Sequence, residues 1–353
     1  MKMTDSPLSF DTSKQPHRRF NPLIREWILV SPHRTQRPWQ GQMEADATVS
    51  EVSYDPECYM CPGNTRSTGA MNPDYKTVFV FDNDFPALLP QGGKGGFNEN
   101  DLLIAETETG ICRVLCFSPK HNLTISMMET ADIREVVDCW ARQFQELGAN
   151  PEINYVQIFE NRGSMMGASN PHPHCQIWST TTIPNIPATE QESQMAYREA
   201  HGTCLLCDYY AKEKSLGTRT VIENEHFLAL VPFWAVWPFE TILLPRRHIA
   251  SIDELGNEER DALSDILKHL TTRYDNLFQT SFPYSMGFHQ RPTDNRAHSE
   301  WHFHAHFFPP LLRSAAIRKF MVGFELLGMP QRDITAETSS ERLRAVPDSH
   351  HVY

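Results

Sequence analysis

Short apolar runs closed by Pro, Asn or Asp recur along the first half of the chain: EWILVSP (26–32), TVFVFDND (77–84), RVLCFSP (113–119), NYVQIFEN (154–161) and CQIWST (175–180). Their β-branched and aromatic content predicts strands of a largely antiparallel sheet. Segment 129–150 has a different period. Ile133, Val136, Val137, Trp140, Phe144 and Leu147 fall at helical spacing, and Gly148 supplies a stop. QGGKGGFNEN (91–100) is rich in Gly and Asn but lacks the spacing and flanking elements of a phosphate loop, so a mobile loop is expected there.

The same order of elements then returns. Cys58-x-x-Cys61 is matched by Cys204-x-x-Cys207, VFVFDNDFPALLP by FLALVPFWAVWPFETILLP, and FSPKH ending in His121 by LPRRH ending in His248. The helix of 129–150 has a partner in 251–278. NYVQIFENRG is matched by PYSMGFHQRP, and HPHCQIW by HFHAHFF (302–308). So many matches in one order imply an internal duplication. The expected fold is α+β, two copies spanning 1–195 and 196–353, each with mainly antiparallel strands and flanking helices.

Composition narrows the function. The chain has 353 residues, 40% of them hydrophobic, enough for a sizeable core. Its net charge of −12 argues against a broad nucleic-acid surface, which needs clustered Lys and Arg. No run of about 18 apolar residues and no apolar N-terminal h-region is present, so neither a membrane span nor a secretory signal is expected, and the cytoplasm is the expected compartment. Eight cysteines, four of them in two C-x-x-C pairs, suit metal or thiol chemistry in a reducing compartment better than a disulfide framework.

GASNPHPHCQIW (167–178) carries the chemistry. Alternate strand residues share a face, so His172, His174 and Gln176 are expected side by side, as are His302, His304 and His306. A lone strand histidine is ordinarily a half-buried packing residue; several on one face, with cysteines upstream, are not. A nucleophilic imidazole needs its other ring nitrogen held by an acceptor. Gln176 differs from a third His because it donates to a phosphoryl oxygen but exchanges no proton at neutral pH, which favours group transfer over hydrolysis.

GASNPHPHCQIW, RPWQGQ (37–42), NDFPAL (83–88), VPFWAVWPFETILLPRRH (231–248), FPYSMGFH (282–289) and HAHFFPPLLRSAAIRKFMVGFELL (304–327) closely resemble the galactose-1-phosphate uridylyltransferase family of the histidine-triad superfamily, in order from about residue 18 to about residue 347. The resemblance implies a duplicated histidine-triad-like fold and ping-pong exchange between UDP-glucose and galactose 1-phosphate through a uridylylated histidine. His174 is then the nucleophile, with its ring oriented by the carbonyl of His172. Ser169 and Gln176 hold phosphoryl oxygens. Arg34 and Arg37 supply positive charge, and Asn83, Asp84, Phe159 and Asn161 fall where the family holds uridine. Lys319, Phe320, Val322, Glu325 and Gln331 match hexose-phosphate contacts contributed across a homodimer interface.

The resemblance also implies zinc on Cys58, Cys61, His121 and His172, and iron or zinc on Glu190, His289, His304 and His306. By the duplication, Cys204, Cys207, His248 and His302 correspond to the zinc ligands. They either form another tetrahedral site or remain as a remnant in which the cysteines pack as small apolar residues. Ala168 replaces a Cys common in the family, and Phe324 a Tyr, which removes one hydroxyl donor near the sugar phosphate. Alternatives left open are a nucleotide phosphorylase or adenylyltransferase using the same His-x-His-x-Gln strand, and a zinc-held binding module without catalysis.

Overall fold

The computed structural model describes residues 11–36, 52–92 and 95–350. Strands β1 (His17–Asn21), β2 (Glu26–Val30), β3 (Phe79–Asp82), β4 (Gly96–Glu99), β5 (Leu103–Glu106) and β6 (Gly110–Cys116) lead to helix α1 (Thr130–Gly148). Then come β7 (Tyr155–Arg162), β8 (His174–Thr180), α2 (Asn185–His201), α3 (Leu205–Leu216), β9 (Thr220–Glu223), β10 (Phe227–Leu230), β11 (Thr241–Pro245) and α4 (Asn257–Phe278). The chain continues through β12 (Tyr284–His289), β13 (His304–Phe308), α5 (Phe324–Leu327), β14 (Gln331–Arg332) and α6 (Ala336–Ala345).

Nine of these strands form one sheet in the order β3-β6-β8-β7-β12-β13-β11-β10-β9. The first eight read as a palindrome. β3 answers to β10, β6 to β11, β8 to β13 and β7 to β12, so each matched pair of the repeat occupies mirrored places about the central β7–β12 ladder. Every pairing in the sheet is antiparallel, and the central register joins Tyr284 to Arg162 and Phe288 to Ile158. Residue 195 lies within α2, and the two copies share this sheet and one core.

That core lies under α1 and α4. Trp140 and Phe144 of α1, Leu267 and Tyr274 of α4, Ile158 of β7, Cys175 and Ile177 of β8 and Phe288 of β12 belong to one buried cluster. Trp140 joins the copies: its ring stands edge-on to Phe117 at 5.8 Å and to Phe288 at 5.1 Å, and Nε1–H donates to Cys175 Sγ at 3.2 Å. Because Cys175 and Ile177 face the helices, alternation sends His174 and Gln176 to the opposite face.

One expectation needs correction. Residues 96–106 form the exposed β4–β5 hairpin, so QGGKGGFNEN is not simply a mobile loop; Phe97 pairs with Ala105, and the polar, Gly-rich sequence hid an edge ribbon that buries nothing. Strand β8 begins at His174 and β13 at His304. His172 and His302 stand just before their strands, and their rings reach thiols on the faces of His174 and His306: Val114 and Cys116, opposite Gln176 and His174, cluster with Cys58 and Cys61, and Ile242, opposite His306, clusters with Cys204. Among the described residues, no helix is long and apolar enough to cross a membrane.

Buried charge fastens α4 to the central ladder. Arg162 Nη2 meets Asp275 Oδ2 at 2.9 Å, and Ser126 Oγ donates to the same oxygen at 2.5 Å. Glu160, also buried, accepts from Tyr284 Oη at 3.1 Å. Burial outweighs the pull of Arg162 and pushes the Glu160 carboxyl from 4.5 up to about 7. A folded carboxyl that holds its proton to higher pH than the unfolded chain loses stabilisation as pH rises between those values. Relative to its parent, Glu160→Gln should therefore gain about 3 kcal/mol between pH 4.5 and pH 8 in urea titrations. A pH-independent difference would contradict this assignment.

Candidate active site and metal centres

β7 ends at Arg162, and Gly163 and Gly167, with φ of +82° and +81°, bracket a single 3-10 turn over Ser164–Met166. Those left-handed values suit glycine. The turn returns the chain through Ser169 and Asn170 into β8, so Asn161, Ser169, His174 and Gln176 line one small cavity.

The His174 ring is fixed by one contact. Its Nδ1 lies 2.7 Å from the carbonyl oxygen of His172. A carbonyl only accepts, so Nδ1 carries the hydrogen and Nε2 is left with a lone pair. Burial lowers the pKa of the ring against the opposing pull of that carbonyl, which favours the neutral form. Gln176 is oriented as well. Trp178 Nε1–H donates to Gln176 Oε1 at 2.8 Å, and because indole only donates, the Gln176 amide nitrogen is the end presented to the cavity.

The remaining expected residues around this cavity are placed unevenly. Phe159 sits opposite Gln176 in the β7–β8 register and packs edge-on against Trp178 at 5.5 Å. Asn161 Oδ1 accepts from Ser285 Oγ at 2.6 Å. Asn83 and Asp84 follow β3. Asn83 Oδ1 caps the amide of Phe85 at 3.0 Å, while Asp84 Oδ1 faces Arg66 Nη1 at 3.4 Å and its buried Oδ2 has no hydrogen-bond partner.

Behind the cavity stand Cys58, Cys61, His121 and His172, with one ligand atom of each within 4.8 Å of the others. All four are buried. Cys61 Sγ is 3.6 Å from Nδ1 of both His121 and His172. His172 Nε2 is 2.9 Å from the Ser118 carbonyl, which assigns the hydrogen to Nε2 and turns the Nδ1 lone pair toward the cysteines. Asn170 ties this group to the turn: its Nδ2 donates to Cys58 Sγ at 3.4 Å, and its Oδ1 accepts from the His172 amide at 2.9 Å. Sequence reasoning missed Asn170, Tyr75 and Trp178. Trp178 continues the 174–176 alternation, Asn170 sits before Pro171 as turn residues do, and Tyr75, whose Oη lies 3.0 Å from His172 Nε2, left no local signal.

A second group joins Glu190 of α2 to His289 of β12 and His304 and His306 of β13. Glu190 Oε2 lies 2.8 Å from His289 Nδ1 and 3.3 Å from His304 Nε2, and Oε1 lies 3.7 Å from His306 Nε2. Burial alone would raise the Glu190 carboxyl; His289 and His304 instead hold it well below the usual range. His304 Nε2 and both ring nitrogens of His306 are buried without a hydrogen-bond partner. Orphaned imidazole nitrogens facing a buried carboxylate suit a cation, so the donor set fits a metal.

A third group gathers elsewhere. Lys319 Nζ donates to the Gln331 carbonyl at 2.8 Å and pairs with Glu325, while Gln331 Nε2 donates to Asp333 Oδ1 at 2.8 Å. Arg34 Nε joins at 3.3 Å from the same Asp333 oxygen. Phe320, Val322 and Phe324 stand exposed on the connecting segment. None of these residues lines the cavity of His174. Arg37 lies outside the described residues.

Comparison with known proteins agrees with this geometry. Models of the N-terminal and C-terminal domains of galactose-1-phosphate uridyl transferase match residues 8–184 and 190–353. The galactose-1-phosphate uridylyltransferase of Haemophilus influenzae is 52% identical over 342 residues, 97% of each chain. That of Rattus norvegicus is 49% identical over 346 residues, covering 97% of this chain and 91% of its own. In fold, a solved uridylyltransferase superposes with a TM-score of 0.74 at 24% identity, covering 94% of this chain and 98% of its own. An ADP-glucose phosphorylase from Arabidopsis thaliana with bound ADP-glucose gives 0.73 at 22%, covering 94% and 100%. The two domain models together span nearly the whole chain, and it belongs to the galactose-1-phosphate uridylyltransferase family.

Proposed function

We propose that the chain exchanges a uridylyl group between UDP-glucose and galactose 1-phosphate, with His174 as the covalent nucleophile. The carrying observation is the 2.7 Å contact between His174 Nδ1 and the His172 carbonyl, beside a cavity shared with Ser169, Asn161 and Gln176. Nε2 attacks the α-phosphorus of UDP-glucose, a P–N bond forms, and the bond to the bridging oxygen breaks, releasing glucose 1-phosphate with the electron pair. The ring gains positive charge, which the His172 carbonyl dipole offsets at Nδ1. A phosphate oxygen of galactose 1-phosphate then attacks phosphorus, the P–N bond breaks, and neutral His174 and UDP-galactose result.

Gln176 and Ser169 donate to the phosphoryl oxygens during both halves. Since the Gln176 amide is neither an acid nor a base near neutral pH, water gains no base there, and the uridylyl group waits for a phosphate acceptor. Asn83, Asp84, Phe159 and Asn161 hold the uridine, and the unpartnered Asp84 Oδ2 offers an acceptor for a ribose hydroxyl. None of Lys319, Phe320, Val322, Glu325 and Gln331 lines this cavity, which supports a homodimer in which those residues, with Arg34, serve the other subunit's hexose phosphate.

Two metal centres complete the reading. Zinc suits Cys58, Cys61, His121 and His172, and iron or zinc suits Glu190, His289, His304 and His306; bound there, each supplies structural rigidity. His172 has two tasks, its ring in the first centre and its carbonyl on His174.

Incubation with UDP-glucose alone should leave one uridylyl group per chain by intact mass, labile to acid as a phosphoramidate is, and His174→Gly should abolish it. An adduct persisting in that variant refutes the nucleophile. For the second centre, Glu190→Ala should reduce metal content and melting temperature more than the turnover of the folded fraction. A loss of several orders of magnitude in turnover with full metal content and an unchanged melting temperature would point to bond-making work instead.

A further inference from the structure

The palindromic sheet carries a second set of thiols and imidazoles to the place in the second copy that the Cys58 group holds in the first. Cys204 caps α3 and Cys207 lies in its first turn, His248 follows β11, and His302 precedes β13. One ligand atom of each lies within 4.8 Å of all the others. We infer that Cys204, Cys207, His248 and His302 form an additional tetrahedral zinc site.

The correspondence extends to the supporting atoms. In the first copy Cys61 Sγ faces two imidazoles, Nδ1 of His121 and of His172, each at 3.6 Å. In the second copy Cys207 Sγ faces Nδ1 of His248 at 3.4 Å and of His302 at 3.3 Å, while Cys204 Sγ lies 3.5 Å from His302 Nδ1. In the first copy His172 Nε2 leans on the carbonyl of Ser118, three residues before His121, at 2.9 Å. In the second copy His302 Nε2 leans on the carbonyl of Pro245, three residues before His248, at 3.3 Å. His248 Nε2 likewise meets the Ser299 carbonyl at 3.2 Å. Carbonyls accept, so both Nε2 atoms carry hydrogen and both Nδ1 lone pairs are aimed at sulfur.

Hydrogen bonding alone does not account for this arrangement. A thiol has one proton, and Cys207 faces two lone pairs at near-equal distance. With sulfur ligands ~2.3 Å and nitrogen ligands ~2.0–2.1 Å from a tetrahedral zinc, adjacent sulfur and nitrogen atoms stand about 3.6 Å apart, close to the observed separations. A remnant packed only as apolar side chains would not need two histidines held in matching tautomers. Cys204 does touch a hydrophobic cluster with Leu205 and Trp234, as a zinc-bound cysteine at the base of a helix can.

The site also has a structural consequence. His304 Nδ1 lies 2.8 Å from the His302 carbonyl, just as His174 leans on His172, and His304 belongs to the Glu190 group. The His302 amide in turn donates to Gln194 Oε1 at 3.0 Å, on the helix that carries Glu190. Zinc on the His302 ring therefore fixes the carbonyl that aims His304. The two tetrahedral sites differ in access: all four residues of the first are buried, whereas His248 is exposed and Cys207 half-buried. The second is the one a chelator reaches first.

Metal analysis of the holoenzyme tests this without relying on uridylyl transfer. Zinc is counted in the parent chain, in Cys204→Ser and in Cys58→Ser, and cobalt substitution reads the sulfur-to-metal charge-transfer bands of thiolate sites. Each variant should lose one zinc per chain and about half of the charge-transfer intensity, with the Cys204→Ser equivalent being the first that EDTA removes from the parent. Should Cys204→Ser fail to fold, His248→Ala, an exposed loop substitution, should release the same equivalent to EDTA faster than the parent does. Zinc content and cobalt bands unchanged in Cys204→Ser, or in His248→Ala with parental release, would overturn the site. So would a parent whose only thiolate-bound metal disappears in Cys58→Ser.

Discussion

A single hydrogen bond between ring and backbone, from His174 Nδ1 to the carbonyl of His172, sets what the rest of the chain must hold still. It selects the tautomer and aims Nε2 into the cavity. Everything around His172 restrains that carbonyl. Its ring is fixed by Cys61, Ser118 and Tyr75, its amide by Asn170, and Asn170 by Cys58. The Cys58, Cys61, His121 and His172 group is thus joined to the proposed nucleophile through Pro173 alone, and rigidity at the cysteines becomes orientation at the imidazole.

Duplication explains how such a support arose twice with different outcomes. Both copies place a His two residues beyond a ligand-like His and let its Nδ1 rest on that residue's carbonyl. In the first copy the residue two further on is Gln176, and the free Nε2 meets a cavity. In the second it is His306, and Glu190 sets a carboxylate beside the imidazoles, so the same arrangement becomes a donor set that fits a cation. The central β7–β12 ladder and the shared core of Trp140, Tyr274 and Phe288 join the two outcomes in one sheet and one packed core.

Much of this was legible because strands and helices impose simple periods. β7, β8 and α1 follow directly from their apolar spacing, and the palindromic sheet was implicit in the repeated order of motifs. His174 and Gln176 could be placed on one face from alternation alone. His172 and His302 lie just outside their strands, and their rings meet thiols distant in sequence, which the repeated C-x-x-C pairs foreshadowed. The β4–β5 hairpin escaped notice because an exposed ribbon has no buried face to pattern. Glu190 and the Lys319–Gln331 group carried no local signal either; only the family resemblance pointed to them, and the contacts that explain them, orphaned imidazoles in one case and the Lys319–Gln331 and Arg34–Asp333 contacts in the other, join residues well apart in sequence.

The central claim is a statement about one proton. Long-range 1H–15N correlation spectra of 15N-histidine-labelled holoenzyme, with the His174 signals assigned by comparison with His174→Gly, report which ring nitrogen is protonated. A neutral ring at pH 7 with hydrogen on Nδ1 and a bare Nε2 is the predicted result. Hydrogen on Nε2, or an imidazolium, would contradict the account, because a nitrogen without a lone pair cannot receive the uridylyl group.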